Sequence, residues 1–153
     1  MHHVQLAFSV QGFADALALC RKGKHEDISQ MSRTAYAFYE WYLQATGRNA
    51  EIIARKPDGS AERIRLAPAM PADQAMEETE PSDHIVMLKL DEEGFERMEA
   101  LRSNGKHLDR GHMSKAAYVL YGWYLDEIEK GNEIVVREPD GSTARITFSA
   151  AMA

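Results

Sequence analysis

The chain is written twice. At an offset of 82, residues 2–70 align with residues 84–152 without a gap, and 30 of the 69 aligned positions are identical. Val4, Leu6, Gly12 and Phe13 recur as Val86, Leu88, Gly94 and Phe95. Gly23-Lys24-His25 recurs as Gly105-Lys106-His107, and Met31-Ser32 as Met113-Ser114. Tyr36, Tyr39, Trp41, Tyr42 and Leu43 return as Tyr118, Tyr121, Trp123, Tyr124 and Leu125. Pro57-Asp58-Gly59-Ser60 returns as Pro139-Asp140-Gly141-Ser142. Whatever one copy builds, the other must build too. Two repeats fall short of a solenoid, which usually takes three or more, so the expectation is a pseudo-symmetric pair.

Three segments follow: a first repeat over residues 1–70, an acidic linker over 71–83, and a second repeat over 84–153. The linker is bracketed by Pro71 and Pro81 and holds five acids and no base. With little apolar surface to bury, it is expected to be solvated. The net charge is −6, divided as +2 over residues 1–71, −5 over the linker and −3 over the remainder. A global sign so distributed says little about any one face.

Composition, at 44% hydrophobic and 27% charged, is that of a globular protein. No apolar run approaches the roughly 20 residues that span a bilayer, and no secretory signal is evident. Cys20 is the only cysteine, which rules out an internal disulfide and fits a reducing compartment. The expected setting is the cytoplasm, with no membrane partner.

Each copy reads as the same five elements. A strand alternates Val4, Leu6, Phe8 in one copy and Val86, Leu88, Leu90 in the other. Ser9 and Asp91 are placed to cap a first helix, whose apolar stripe is Phe13, Leu17, Cys20 or Phe95, Met98, Leu101. Gly23 and Gly105 suit a left-handed stop. A polar connection of seven or eight residues leads to Ser32 and Ser114, where a second, aromatic-rich helix is expected to begin, ending near Thr46 or Lys130. A hairpin closes each copy, residues 51–56 with 61–66 and 133–138 with 143–148, turned by Pro-Asp-Gly. The order is β-α-α-β-β, twice, an α+β fold. Each opening strand has no neighbour in sequence to satisfy its backbone, so the two opening strands should pair with each other over a shared core.

That arrangement resembles the ribbon-helix-helix family of Arc/MetJ/CopG-type DNA-binding proteins. The likeness is strongest from Val86 to Leu125. Leu88-Lys89-Leu90-Asp91-Glu92-Glu93 looks like the family's strand running into its capped first helix, and Met113 to Leu125 looks like its second helix. The resemblance implies two tandem units forming an intertwined pseudo-dimer, with hairpin extensions. The helix–helix connection is about five residues longer than the family's, and Gly12 and Gly94 sit inside the first helix, where glycine costs about 1 kcal/mol.

In the family the paired strands enter the major groove of double-stranded DNA. The outward residues here are His3, Gln5 and Ala7 in one strand and Ile85, Met87 and Lys89 in the other. Gln5 suits adenine and Lys89 guanine, whereas Ala7, Ile85 and Met87 fit a dry protein contact at least as well. The expected second-helix starts, with Ser32, Arg33, Ser114 and Lys115, offer amides, dipole and charge to phosphates. The two strand faces differ, so the expected DNA site is asymmetric.

Other constellations are weaker. Six histidines show no metal-ligand spacing, so no metal or cofactor is expected. Cys20 reads as a small buried hydrophobe, and Trp41 and Trp123 as a widened apolar stripe, with an aromatic patch for a partner or further self-association as the alternative. No nucleophile elbow, paired carboxylates or glycine-rich phosphate loop is present, so an enzyme is not expected. The resulting expectation is a DNA-binding transcriptional regulator, a repressor or autoregulator. The alternative is a protein-interaction module that kept the fold and lost DNA binding.

Overall fold

The computed structural model describes residues 2–64 and 84–146. The linker expected over 71–83 and the far ends of both hairpins lie outside the described residues. Within them the fold is α+β, with four helices and two small antiparallel sheets. In chain order the elements are β1 (His2–Phe8), α1 (Val10–Lys22), α2 (Ile28–Gly47), β2 (Glu51–Arg55) and β3 (Ala61–Ile64), then β4 (His84–Leu90), α3 (Glu92–Asn104), α4 (Arg110–Glu129), β5 (Glu133–Arg137) and β6 (Thr143–Ile146).

The two opening strands pair with each other. β1 and β4 form an antiparallel two-stranded ribbon in which Val4 faces Leu88, Leu6 faces Val86, and Gln5 faces Met87. Gln5 and Met87 are equivalent positions of the two copies, so the pseudo-two-fold axis passes between them. Val4, Leu6, Leu88 and Leu90 turn inward and are buried. The alternation seen in the sequence is therefore the ribbon's two faces.

The hairpins join across the same kind of axis. Their strands make one four-stranded sheet in the order β3-β2-β5-β6. β2 pairs with β5 antiparallel, with the equivalent residues Ile53 and Val135 opposite each other. Arg55 binds Glu133 at 2.8 Å and Arg137 binds Glu51 at 2.7 Å, flanking that junction symmetrically. The pairs are exposed, and such pairs contribute about 0–1 kcal/mol each. Gly59 and Gly141 take φ of 91° and 90° in the Pro-Asp-Gly turns. Asp58 and Asp140 each accept bonds from the backbone N–H and hydroxyl of the serine two residues on.

Ser9 and Asp91 cap α1 and α3, accepting from the backbone N–H of Gly12 at 3.0 Å and of Gly94 at 2.7 Å. A Cβ at either glycine would stand 3.2 or 3.1 Å from the capping oxygen, so these glycines admit a close cap. The inward face of α1 is Ala16, Leu19 and Cys20, with Phe13 and Leu17 only partly covered. Burial pushes the Cys20 thiol pKa up, with Asp27 adding to it.

Three expectations need correction. The second helices start four residues early, capped not by Ser32 and Ser114 but by Asp27 and Asp109, which accept from the N–H of Gln30 and His112 at 2.8 Å. The connection shortens to five residues, Gly23 to Asp27 and Gly105 to Asp109. Gly23 and Gly105 do end the first helices, but with φ of −85° and −82°; the left-handed residues are the lysines that follow, Lys24 and Lys106. These glycines are needed for space, since a Cβ would fall 2.6 Å from the ring of His25 or 2.5 Å from that of His107.

One core spans both copies and includes Phe38, Tyr39 and Met31 from one, Leu88, Met98 and Met113 from the other. Two outcomes test this. Leu88→Ala, at a fully buried position, should cost about 2–5 kcal/mol in urea denaturation; an unchanged midpoint would place Leu88 outside the core. Residues 1–70 alone should unfold or dimerise in analytical ultracentrifugation, and a stable folded monomer would refute the shared core.

Candidate functional site

The outward face of the ribbon holds six side chains, His3, Gln5, Ala7, Ile85, Met87 and Lys89, and all are exposed. The register pairs them as His3 with Lys89, Gln5 with Met87 and Ala7 with Ile85. Lys89 and His3 therefore make one end polar, and Ala7 and Ile85 make the other apolar. Ile85 is 63% exposed and Met87 42%. Beside the polar end, His2 stacks on Phe95 with ring centres 4.0 Å apart and bonds Glu92 at 2.6 Å. Arg110 lies over the other partner of that cluster, 5.1 Å from the Phe95 ring centre, and binds Glu99.

Helices α1 and α4, from different copies, run side by side in the same direction. Lys22 meets Asp126 and Glu129 at their C-terminal ends. At the N-terminal ends Lys115 lines the same groove as Ala7, Phe8 and Ser9. The start of α4 thus flanks the end of the ribbon, and Phe8 stacks against Tyr118 with ring centres 6.3 Å apart.

The candidate phosphate-binding residues separate. Arg33 and Lys115 are partly exposed, within the second turns of α2 and α4. Ser32 and Ser114 are 0% and 2% exposed. Their N–H groups lie inside helices, and their hydroxyls bond Tyr118 and Tyr36 of the opposite copy at 2.6 Å each. At each helix start the aspartate cap takes one amide, that of Gln30 or His112, and its negative charge opposes a phosphate there. Asp27 and Asp109 recur at the repeat offset three residues before Gln30 and His112, which was the signal for the true helix start.

A second pair of bonds also crosses between copies. His25 Nε2 bonds the Tyr121 hydroxyl at 2.7 Å, and Tyr39 bonds His107 Nε2 at 2.5 Å. Burial raises Tyr39 and Tyr121 to about 12, so both phenols keep their protons at neutral pH. His107 Nδ1 meets His112 Nδ1 at 2.7 Å, and His112 Nε2 is buried without a partner among the described residues. Two tautomer sets fit this chain: Tyr39 donates to His107 and His107 to His112, or His112 donates to His107 and His107 to the Tyr39 oxygen. Burial, with His112 beside it, holds His107 down to about 4. In the other copy Gln30 stands where His112 does, and burial lowers His25 as well.

The described residues contain no group of three His, Cys, Asp or Glu side chains placed to hold a metal ion. Trp41 and Trp123 are partly buried against the core, Trp41 beside Phe38 at 5.4 Å between ring centres. No described helix is long and apolar enough to cross a membrane. The chain matches no family model, no curated protein and no solved structure.

The histidine network makes stability depend on pH. His107 is held below its unfolded value of about 6.5, so the folded protein refuses a proton that the unfolded chain accepts. The stability it contributes is full above pH 6.5 and is lost as pH falls towards about 4. Urea midpoints measured across that window should fall more steeply for the parent than for His107→Gln. Parallel curves would show that His107 does not couple to folding.

Proposed function

We propose that the chain is a DNA-binding transcriptional regulator, a repressor or autoregulator, built as a tandem ribbon-helix-helix pseudo-dimer that inserts its ribbon into the major groove. The observation that carries this reading is the β1–β4 ribbon, with six outward side chains all exposed and none needed by the core. Seven residues per strand give about 23 Å of ribbon, and a two-stranded ribbon suits a groove about 12 Å wide.

The two ends read differently. Lys89 and His3 bond guanine, and Gln5 bonds adenine through its N6 and N7 edge. Ala7, Ile85 and Met87 press on thymine methyl groups, which apolar side chains recognise. The target is therefore an asymmetric site. Arg33 and Lys115 hold the phosphates beside the ribbon; Ser32 and Ser114 serve the core instead.

A gel-shift selection from random duplexes tests this. Gln5→Ala and Lys89→Ala should each cost about 1–3 kcal/mol on the selected sequence and relax it at their own base pairs. Arg33→Ala should weaken all sequences alike. No binding even at low salt, where phosphate contacts dominate, would sink the reading.

The exposure of Ile85 and Met87, and the acidic helix caps, favour a second reading: a ribbon that docks a protein partner. Met87→Lys separates the two. On DNA the added cation tightens low-salt binding to duplexes of any sequence while relaxing preference at the Met87 base pair, whereas on an apolar protein surface it weakens capture of the partner.

A further inference from the structure

Away from the ribbon, the two copies differ in the groove between the first helix of one and the second helix of the other. On the α3–α2 side, Arg97 crosses from α3 to bind Glu40 on α2 at 2.7 Å, and Met98 fills the space beneath at 1% exposure. The equivalent positions on the α1–α4 side are Asp15, Gly122 and Ala16. All three are smaller, and the ion pair is gone.

A cavity of about 600 Å³ takes its place. Phe8, Leu19, Tyr118 and Val119 give it apolar walls, and Asp15 and Gly122 face it from opposite helices. Nothing in the core explains the exchange, since a Cβ on Gly122 would sit 3.7 Å from Leu19, an ordinary contact. The volume lies within the roughly 300–1,000 Å³ of small-molecule sites, which join apolar walls to a few polar groups.

The charge at the rim indicates the ligand. Lys22 is held by Asp126 and Glu129, and Lys115 has interactions of its own. Asp15 accepts a bond only from the neutral Gln11 amide, at 2.8 Å, among the described residues. An acid thus stands where the other copy places the Arg97 guanidinium. We propose that this groove binds a small organic cation with an apolar body, its ammonium or guanidinium group on Asp15 and its body along Phe8, Leu19, Tyr118 and Val119. The proposal does not depend on what the ribbon contacts.

The test is titration of the full chain, without DNA, by calorimetry and backbone amide NMR. The probes are primary amines, tryptamine and phenylbutylamine, together with hexylamine to decylamine, each against the carboxylate of the same body. The amines should bind at least about tenfold more tightly than the carboxylates, as a charge-assisted bond requires, and should shift amides of α1 and α4. Asp15→Asn should remove that preference. The double variant Asp15→Arg, Gly122→Glu copies the Arg97–Glu40 pair into the first groove; it should keep its circular dichroism spectrum and bind none of the probes. The proposal is overturned if no amine in the panel binds below millimolar concentration, if amines and carboxylates bind equally, or if the folded double variant binds as the parent does.

Discussion

The structure depends on the antiparallel pairing of β1 with β4. Each strand stands alone at the head of its copy, and an isolated strand leaves its backbone donors and acceptors without protein partners. Pairing across the pseudo-two-fold axis satisfies both at once. It also turns Val4, Leu6, Leu88 and Leu90 onto one face and six other side chains onto the opposite face. A slip of one residue would exchange those faces, so the buried leucines hold the register. The helices cover the inner face and leave the outer one exposed.

The polar groups inside the shared core reinforce the pairing. Ser32 with Tyr118, Tyr36 with Ser114, His25 with Tyr121 and Tyr39 with His107 all join one copy to the other. A buried hydroxyl or imidazole without a partner costs about 1–3 kcal/mol, so each copy supplies what the other would otherwise lack. This accounts for residues written identically in both. Gly23 and Gly105 make room for the histidine rings, and Arg55, Glu51 and their equivalents bracket the strand junction. The residues of these paired bonds stayed alike.

Positions outside those pairs diverged, including ion pairs that cross between the copies only once, such as Lys22 with Asp126. The ribbon's outer face carries His3, Gln5 and Ala7 on one strand and Ile85, Met87 and Lys89 on the other. The helix grooves differ too, with Arg97 and Glu40 bridging one and Asp15 and Gly122 leaving the other open. A symmetric frame therefore presents two asymmetric surfaces, and both proposals of function rest on those differences.

The duplication, the order β-α-α-β-β, the Pro-Asp-Gly turns and the ribbon's two faces were legible in the sequence, because each follows from local period or turn chemistry. The caps at Ser9 and Asp91 were legible for the same reason. The second helices were misjudged because a serine before an apolar run looks like a cap, whereas Asp27 and Asp109 do that work and the serines face tyrosines some 80 residues away. The four-stranded sheet, the histidine–tyrosine bonds and the groove beside Gly122 came from tertiary structure alone. Each depends on which residue of one copy meets which of the other, and periodicity within a copy does not encode that meeting. The sequence by itself determined that two copies of one unit are present and that each opening strand needs a partner, for which the other copy's strand is the simplest choice. Only the packing of the copies decided where they bond and where they leave space.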